Sequence, residues 1–315
     1  MLASTSARRG PIVRRAAPLV AAQREMLLEC GDGVRLQCFR SSPRRGHGMP
    51  VVLLHGWEGS AESLYVLSLG QQLFEQGFDV LRLNLRDHGA THHLNRELFH
   101  SCLLPEVVGA MRALQATLGR PLRLVGFSLG GNFMLRVGAD SLAPDAVAAV
   151  VAVSPVLDPE ATLRALEGGL SLYTRYFVKR WTRSLRAKQK AWPDERDYEP
   201  LLRSQDLRRM TADLVQHCTD FGSLQAYLAG YAVTGLRLAA LRVPARIVLS
   251  ADDPIIPAAD LSLLARSDQL RIVRTRYGGH CGFVDSLSSA SFADRYMLEE
   301  FEQIDFATAD NGARR

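Results

Sequence analysis

Short, continuous apolar runs alternate with amphipathic segments along most of the chain. Pro50–His55 is such a run and indicates a strand that is buried on both faces, as in a parallel sheet, and Leu122–Phe127 is predicted as a further strand. Ala61–Glu75, between them, has apolar residues at helical spacing. The same patterns predict strands at Phe78–Leu83, Ala146–Val153, Ala245–Ser250 and Leu270–Tyr277, and helices at Pro105–Leu118, Leu129–Val137 and Ser291–Ile304. This alternation predicts an α/β fold with a mostly parallel central sheet and helices on both faces.

A hairpin is predicted ahead of this alternation. Met26–Cys30 and Val34–Phe39 have the pattern of two short strands. Gly31-Asp32-Gly33 joins them, and glycine supplies the positive φ angles that tight hairpin turns need. We therefore expect two antiparallel strands at the start of the sheet.

The alternation stops in the middle of the chain. Residues 158–239 are mostly helical in pattern, charged and aromatic. We interpret them as a helical cap inserted between two strands of a core formed by residues 25–157 and 240–306. Such an insertion covers the carboxyl edge of the sheet, where open α/β sheets bind ligands. Residues 307–315 are predicted as a C-terminal tail.

The first 24 residues contain five arginines and no acidic residue. Their apolar stretch, Ala16–Ala22, is short and interrupted by Pro18, whereas a secretory signal needs a longer apolar segment. Arg14-Arg15 raises the alternative of a twin-arginine signal, and the composition also fits a transit peptide. We favour a flexible basic N-terminal tail over residues 1–24.

Composition and charge limit the classes of function. The 315 residues are 47% hydrophobic, which is enough for one large globular core. The net charge of +5 fits an anionic substrate or peripheral contact with an anionic membrane surface. We expect no nucleic-acid partner, because no recognisable binding module accompanies the charge. The five cysteines include no CxxC pair, so we expect reduced thiols and a cytoplasmic location. The oligomeric state is left open.

Gly126-Phe127-Ser128-Leu129-Gly130 carries the strongest chemical signal. It matches G-x-S-x-G, with a predicted buried strand before it and a helix directly after it. This setting is that of a nucleophile elbow, in which a serine sits on a sharp turn and small neighbours let strand and helix pass closely. The alternative is a serine that only caps a helix in a glycine-rich turn. We predict Ser128 as a nucleophile.

A serine hydroxyl needs a base. Eight histidines are candidates: His47, His55, His88, His92, His93, His100, His217 and His280. His280 follows the last predicted strand and lies between glycines, and enzymes with this elbow run in the order serine, acid, histidine. We predict His280 as the base, against the alternative of a solvated loop histidine.

The acid that orients the base is expected between Ser128 and His280, after a strand. Ala251-Asp252-Asp253-Pro254 meets this requirement. We favour Asp253, which lies four residues before Pro257. Asp252 is the next candidate and otherwise shapes the turn, and Asp158 is the third.

The oxyanion that develops during acyl transfer needs preorganised N–H donors. The backbone amides of Leu129, directly after the nucleophile, and of Trp57, after the Pro50–His55 strand, are the predicted pair. The Trp57 side chain is expected to wall an acyl pocket, although His55 and Trp57 would also pack at the sheet edge. The substrate pocket is predicted to include His55, Phe127, Tyr173 and Phe177.

A second polar cluster consists of Asp87, His88, His92, His93 and His100. No pair in it has the HxxxH-plus-acid arrangement of helical zinc proteases, because Gly89 follows His88 where those enzymes have Glu. We therefore expect a polar loop near the mouth of the site, and no metal site.

The cap contains an aromatic stripe at helical spacing, Tyr173, Phe177 and Trp181, flanked by basic residues such as Lys179, Arg180 and Arg183. A basic helix of this kind can lie on a membrane surface. We favour a helix that covers the acyl pocket and turns its charges to water, because helices mostly bury their apolar stripe.

These motifs together resemble the YheT-like branch of the α/β-hydrolases. The matching segments are His55-Gly56-Trp57-Glu58-Gly59-Ser60, Gly126-Phe127-Ser128-Leu129-Gly130-Gly131-Asn132, Ala251-Asp252-Asp253-Pro254 and Gly278-Gly279-His280-Cys281-Gly282-Phe283. Weaker similarity extends to Met210-Thr211-Ala212-Asp213, Asp220-Phe221-Gly222-Ser223 and Tyr227. The resemblance covers residues 26–304 and implies an α/β-hydrolase fold and a serine hydrolase acting on esters, thioesters or lipids without a cofactor.

One segment departs from the family pattern. The family usually has Asn-x-Arg-Gly-Cys after its third strand, whereas this chain has Asn84-Leu85-Arg86-Asp87-His88-Gly89, which is closer to general esterases. A branch-specific substrate is therefore not implied.

The predicted function is hydrolysis of a small-molecule ester or acyl lipid through an acyl-enzyme, by a Ser128–Asp253–His280 triad. Two alternatives stay open at this point. The same triad can carry out cofactor-free perhydrolysis or C–C bond hydrolysis, and the fold can serve as a non-enzymatic scaffold that binds a membrane or a partner.

Overall fold

The strands of the chain form a single mixed sheet in the computed structural model, which describes residues 2–141, 143–284 and 291–301. The eight strands are β1 (Gln23–Glu29), β2 (Arg35–Ser41), β3 (Pro50–Leu54), β4 (Asp79–Leu83), β5 (Leu122–Phe127), β6 (Val147–Val153), β7 (Ala245–Ser250) and β8 (Leu270–Thr275). Their order in the sheet is β1-β2-β4-β3-β5-β6-β7-β8.

The sheet is mostly parallel, as predicted. β1 and β2 form an antiparallel hairpin, and β2 pairs antiparallel with β4. Every other pair, from β4–β3 to β7–β8, is parallel. Gly31, Asp32 and Gly33 all have positive φ in the hairpin turn, which explains the glycines there.

Helices cover both faces of the sheet. They are α1 (Leu2–Arg15), α2 (Ala17–Ala21), α3 (Leu64–Glu75), α4 (Leu104–Leu118), α5 (Leu129–Gly138), α6 (Ala143–Ala146), α7 (Pro159–Gly168), α8 (Ser171–Ala191), α9 (Glu199–Leu202), α10 (Leu207–Cys218), α11 (Leu224–Tyr231) and α12 (292–301). Side chains alternate between the faces along each strand. Val52 and Leu54 of β3 therefore join the core cluster under α4, α5 and the cap, whereas Val51 and Leu53 join the cluster under α3 and α12.

The N-terminal segment differs from the expected flexible tail. Residues 2–21 lie in α1 and α2, and β1 begins at Gln23. Leu19 of α2 is fully buried, and its carbonyl accepts a hydrogen bond from the Ser41 hydroxyl at 2.9 Å. A Cβ at Gly70 of α3 would lie 3.1 Å from Leu19 Cδ2, so this glycine allows the close approach. Burial of Ala16 and Leu19 stabilises the helical form of the segment despite its many arginines.

The cap, residues 158–239, lies between β6 and β7 and contains α7 to α11. Asp158 begins it as the N-cap of α7, and its carboxylate accepts hydrogen bonds from the amides of Glu160 and Ala161 at 2.9 and 3.2 Å. This third candidate for the acid is therefore engaged in capping a helix.

The described residues cover only part of what the sequence predicts for the C-terminal end. The predicted helix Ser291–Ile304 is helical over 292–301, and the predicted tail 307–315 lies outside the described residues. Within the described part of the chain, no helix is both long enough and apolar enough to span a membrane.

Candidate active site

Ser128 occupies a strained turn between β5 and α5. Its φ of 53° and ψ of −118° are unusual for a residue with a side chain. A Cβ on Gly126 would overlap the backbone of Gly130, and a Cβ on Gly130 would overlap the carbonyls of Leu54 and His55. Only glycine fits these two positions. The predicted steric reason for the G-x-S-x-G pattern is thus present in the packing of β5, α5 and β3.

Three predicted site residues meet at this turn, although they are far apart in sequence. His280 Nε2 lies 3.0 Å from Ser128 Oγ, and His280 Nδ1 lies 3.0 Å from Asp253 Oδ2. Asp253 follows β7 and His280 follows β8, so neighbouring parallel strands deliver both to the carboxyl edge of the sheet. Asp253 can only accept when ionised, which assigns the proton to Nδ1 and leaves Nε2 to accept from the serine hydroxyl.

The two adjacent aspartates have different partners. Asp253 is buried, and its Oδ1 accepts hydrogen bonds from the amides of Ile255 and Ile256 at 2.9 and 3.0 Å. Asp252 is exposed, and its Oδ1 accepts from the Gly279 amide at 2.8 Å. Asp253 therefore contacts the imidazole, and Asp252 ties its own turn to the loop that carries His280.

The charges of the pair keep Asp253 ionised. Burial raises the pKa of the Asp253 carboxyl. The charge and hydrogen bond of His280, together with the two amides, lower this pKa by more than burial raises it, so the net pKa lies below the usual value. Burial alone would lower the pKa of His280, whereas Cys281 and Asp253 raise it, and the net pKa lies above the usual value. The imidazolium form is thus stabilised beside Asp253.

The loop after β3 faces the nucleophile. A Cβ on Gly56 would lie 3.0 Å from Ser128 Cβ, so the backbone of this loop passes close to the serine. The Gly56 amide donates to the Tyr65 hydroxyl, and the Glu58 amide donates to His88 Nε2, both at 3.1 Å. These two bonds hold the backbone on either side of Trp57, whose amide is one of the predicted oxyanion donors.

Tyr65 and His88 were not predicted to have this positioning role. Tyr65 lies within the helical pattern of Ala61–Glu75, and nothing in that pattern distinguishes it. His88 belongs to the predicted polar loop, and its Nδ1 donates to the Arg86 carbonyl at 2.7 Å. Only the packing of this loop against the loop after β3 reveals the function of either side chain.

An apolar cavity opens beside Ser128 and Leu129, beneath the cap. It encloses about 820 Å³ of space between protein atoms, counted out to its open mouth. The cap supplies most of its lining: Pro159, Thr162, Leu163, Leu166, Phe177, Trp181, Leu207, Thr211, Leu214, Tyr227, Leu228 and Tyr231. An apolar lining with a few polar groups is typical of small-molecule sites in proteins.

Of the four side chains predicted to form the substrate pocket, Phe177 lines this cavity. Its ring stacks on Trp57 with centroids 5.2 Å apart, and the Trp57 side chain also lines the cavity. Trp57 therefore walls the pocket as well as carrying the predicted oxyanion amide.

The other three pocket predictions need correction. His55 is fully buried, and its ring binds backbone: Nδ1 donates to the Gly56 carbonyl and Nε2 accepts from the Leu85 amide. Phe127 points to the opposite face of the sheet and packs on Tyr65, because side chains alternate along β5. Tyr173 is half-buried on α8 and is not part of the cavity lining.

The second polar cluster joins the cap to the core. Lys188 of α8 is completely buried and donates hydrogen bonds to Asp87 Oδ1 at 2.7 Å and to the carbonyls of Asn95 and Glu97. His92 contacts Ser184 of α8, and His100 lines the cavity. Within the described ranges, no three His, Cys, Asp or Glu side chains are grouped to hold a metal ion.

Comparison with known proteins agrees with this architecture. The family model for the alpha/beta hydrolase fold matches residues 49–287. "Putative esterase YheT" of Escherichia coli is 26% identical over 270 residues, which is 81% of this chain and 76% of that protein. The "Medium-chain fatty acid ethyl ester synthase/esterase 2" of Saccharomyces cerevisiae is 23% identical over 81% of this chain and 62% of its own length. These similarities confirm the resemblance that the sequence motifs predicted.

Solved structures share the fold at low sequence identity. A serine hydrolase from Cycloclasticus zankles superposes with a TM-score of 0.58 at 13% identity, covering 89% of this chain and 98% of that one. This similarity supports the α/β-hydrolase fold.

Proposed function

The chain belongs to the α/β-hydrolase fold family, and from that membership we propose that it hydrolyses carboxylic esters through an acyl-enzyme on Ser128. Within the family it is an esterase-type hydrolase, in line with its relatives. The observation that carries the finer proposal is the hydrogen-bonded series Ser128–His280–Asp253 at the edge of an apolar cavity.

In the proposed acylation step, His280 Nε2 takes the proton from the Ser128 hydroxyl while the serine oxygen attacks the ester carbonyl carbon. The amides of Leu129 and Trp57 bind the oxyanion of the tetrahedral intermediate, and α5 begins at Leu129, so that its dipole favours negative charge there. Asp253 stabilises the imidazolium. This imidazolium then protonates the leaving alkoxide, and the alcohol departs.

Deacylation repeats the sequence with water. His280 removes a proton from a water molecule that attacks the acyl carbonyl, and the same two amides bind the second oxyanion. Collapse of this intermediate releases the acid and returns the proton to Ser128 Oγ. Each turnover therefore consumes one water and yields one carboxylic acid and one alcohol.

The lining of the cavity supports an acyl chain as its occupant. Leucine and aromatic side chains from four cap helices surround the space next to Ser128, and burial of each CH₂ group contributes roughly 0.8 kcal/mol. We infer a preference for acyl groups longer than acetyl. Thioesters and lipid esters place the same carbonyl over Ser128 and are included in the proposal.

The test is turnover of p-nitrophenyl acetate, butyrate, octanoate and dodecanoate by the natural chain and by Ser128→Ala. We expect kcat/KM to rise with chain length, and turnover by Ser128→Ala to fall by roughly 10³-fold or more. Ser262→Ala, at an exposed serine in the short 3-10 helix Ala258–Leu263, is the matched control. Covalent labelling by a fluorophosphonate should require Ser128. Equal turnover by both serine variants would refute the mechanism.

The proposed location is the cytoplasm. All five cysteines are free in the structure, and three of them, Cys30, Cys38 and Cys281, are buried. Free thiols of this kind suit a reducing compartment. Cell fractionation with an epitope-tagged chain tests the location, and recovery in a secreted or periplasmic fraction would contradict it.

A further inference from the structure

We propose that α8 docks the protein onto an anionic lipid surface through its exposed basic face. This inference goes beyond the proposed esterase reaction, and docking does not require turnover. In this proposal the enzyme meets its substrate at a membrane.

The charge of α8 is one-sided. The helix has seven basic residues and no acidic residue over Ser171–Ala191. Five of the basic residues, which we call the basic stripe, are Arg175, Lys179, Arg183, Arg186 and Lys190. At about 100° per residue, these five positions fall within about 80° of one another around the helix axis. All five are exposed.

The basic stripe is not neutralised by the rest of the protein. Among the described residues, none of the five side chains forms an ion pair with a carboxylate; Arg175 only contacts the Ser171 hydroxyl on its own helix. By contrast, Lys188 of the same helix is buried against Asp87. The positive field of the basic stripe therefore faces solvent.

Two leucines accompany the basic stripe. Leu172 is 53% exposed and falls within the same arc of the helix, and Leu170, at the N-cap, is 68% exposed. Exposed leucines beside a basic helical face are the combination that interfacial helices use, because apolar burial adds to attraction by anionic headgroups. An acidic protein would also be attracted to the charges. The exposed leucines favour a lipid bilayer as the binding partner, because they can insert among its lipids.

The opposite face of α8 lines the cavity beside Ser128. Phe177 and Trp181 point into this cavity, roughly half a turn away from the basic stripe. With the basic stripe on a bilayer, the cavity lies about one helix diameter, roughly 10 Å, from the lipid headgroups. Docking through the basic stripe therefore holds the cap, and the cavity that it covers, next to the bilayer.

Vesicle co-sedimentation tests the docking. The natural chain is expected to bind vesicles of phosphatidylcholine with phosphatidylglycerol and to bind pure phosphatidylcholine much more weakly. Raising the salt from about 0.1 M to about 0.5 M should reduce the binding, since the charges are exposed. The triple variant Arg175→Gln, Arg183→Gln and Arg186→Gln should bind about 100-fold more weakly.

Matched controls separate the basic stripe from net charge. Arg44→Gln, Arg45→Gln and Arg112→Gln together remove the same charge from exposed positions elsewhere and should change binding by less than about threefold. Leu172→Ser should weaken binding, whereas Leu236→Ser, at a leucine 84% exposed away from α8, should not. Melting temperatures establish that each variant is folded.

Two outcomes would overturn the docking. One is equal binding by the stripe variant and its charge-matched control. The other is that the natural chain binds neither kind of vesicle. The basic stripe would then be assigned to binding an acidic macromolecule in solution. Ser128→Ala should bind vesicles like the natural chain, so failure of docking and failure of the esterase reaction give different results.

Discussion

Lys188 on α8 and Asp87 after β4 form a buried ion pair, with Nζ and Oδ1 2.7 Å apart and both side chains excluded from solvent. Burial raises the pKa of Asp87 and lowers the pKa of Lys188, so each charge depends on the other. The carbonyls of Asn95 and Glu97 also accept from Lys188, and the Phe99 amide donates to Asp87. This cluster connects the C-terminal half of α8 to the core.

The ion pair leads to the first prediction. Lys188→Met leaves the Asp87 carboxylate buried without its cation, and breaking such a pair costs roughly 3–5 kcal/mol of unfolding free energy. Denaturant unfolding measures this loss. Lys190→Met, two residues further along the same helix but exposed, should change stability by less than about 0.5 kcal/mol.

The double variant Asp87→Asn, Lys188→Met provides the control for this interpretation. Removing both charges should recover much of the stability lost in Lys188→Met, because no uncompensated charge stays buried. If the double variant is as unstable as the sum of the two single variants, the ion pair does not connect cap and core energetically.

The pH dependence of turnover follows from the environment of His280. The base must be neutral to accept the Ser128 proton, and its pKa is raised above the ordinary 6.5. Activity should therefore be lost as the pH falls through this raised pKa, and kcat/KM should rise with pH with an apparent pKa above 6.5. A pH profile with a soluble ester measures it.

Asp253→Asn tests whether the Asp253 carboxylate contributes to the raised pKa of His280. Without the carboxylate, the apparent pKa should move down, and kcat should fall by roughly 10³- to 10⁴-fold. Asp252→Asn is the matched control. Its side chain is exposed and accepts a hydrogen bond from the Gly279 amide instead of contacting the imidazole, so a loss of kcat below about tenfold is expected. A larger effect at Asp252 than at Asp253 would reverse the assignment of the acid.

Alanine substitutions at two glycines, one of them in the nucleophile turn, are predicted to differ sharply in their effect on stability. A methyl group on Gly130 would overlap the carbonyls of Leu54 and His55, whereas Gly168, at the end of α7, has open space at the same position. Gly130→Ala should destabilise the protein by about 3 kcal/mol or more, and Gly168→Ala by less than about 0.5 kcal/mol. Thermal or denaturant unfolding compares them, and similar losses would show that the turn has room to relax.

Chain-length selectivity is predicted to depend on the cap. Thr211 of α10 lines the cavity, and Thr211→Phe would fill part of the space that we assign to the acyl chain. We expect kcat/KM to fall about tenfold or more for dodecanoyl esters and to change little for acetyl esters. Gln216→Phe, on the exposed side of the same helix, should leave both unchanged. An equal loss for short and long esters would place the acyl chain elsewhere.

Local pattern was a reliable guide to the elements and to the residues at the sheet edge. Strands β5 and β7 have the predicted bounds, and β4 differs by one residue from its prediction. Each of these strands is mostly apolar, so its position depends little on the rest of the chain. Residues 2–21 departed from expectation, because their order depends on contacts with α3 and β2 that have no local signature.

The sequence by itself determined which residues could carry acyl-transfer chemistry, because the order of motifs and the strands before them assign Ser128, Asp253 and His280 to one edge of a parallel sheet. Only the tertiary structure decided which side chains surround the substrate. Phe127 turned to the far face, His55 bonded to backbone, and Leu163 and Leu214 came from separate cap helices. The positions of strands along the chain follow from local periodicity, whereas the lining of a cavity depends on how distant helices pack.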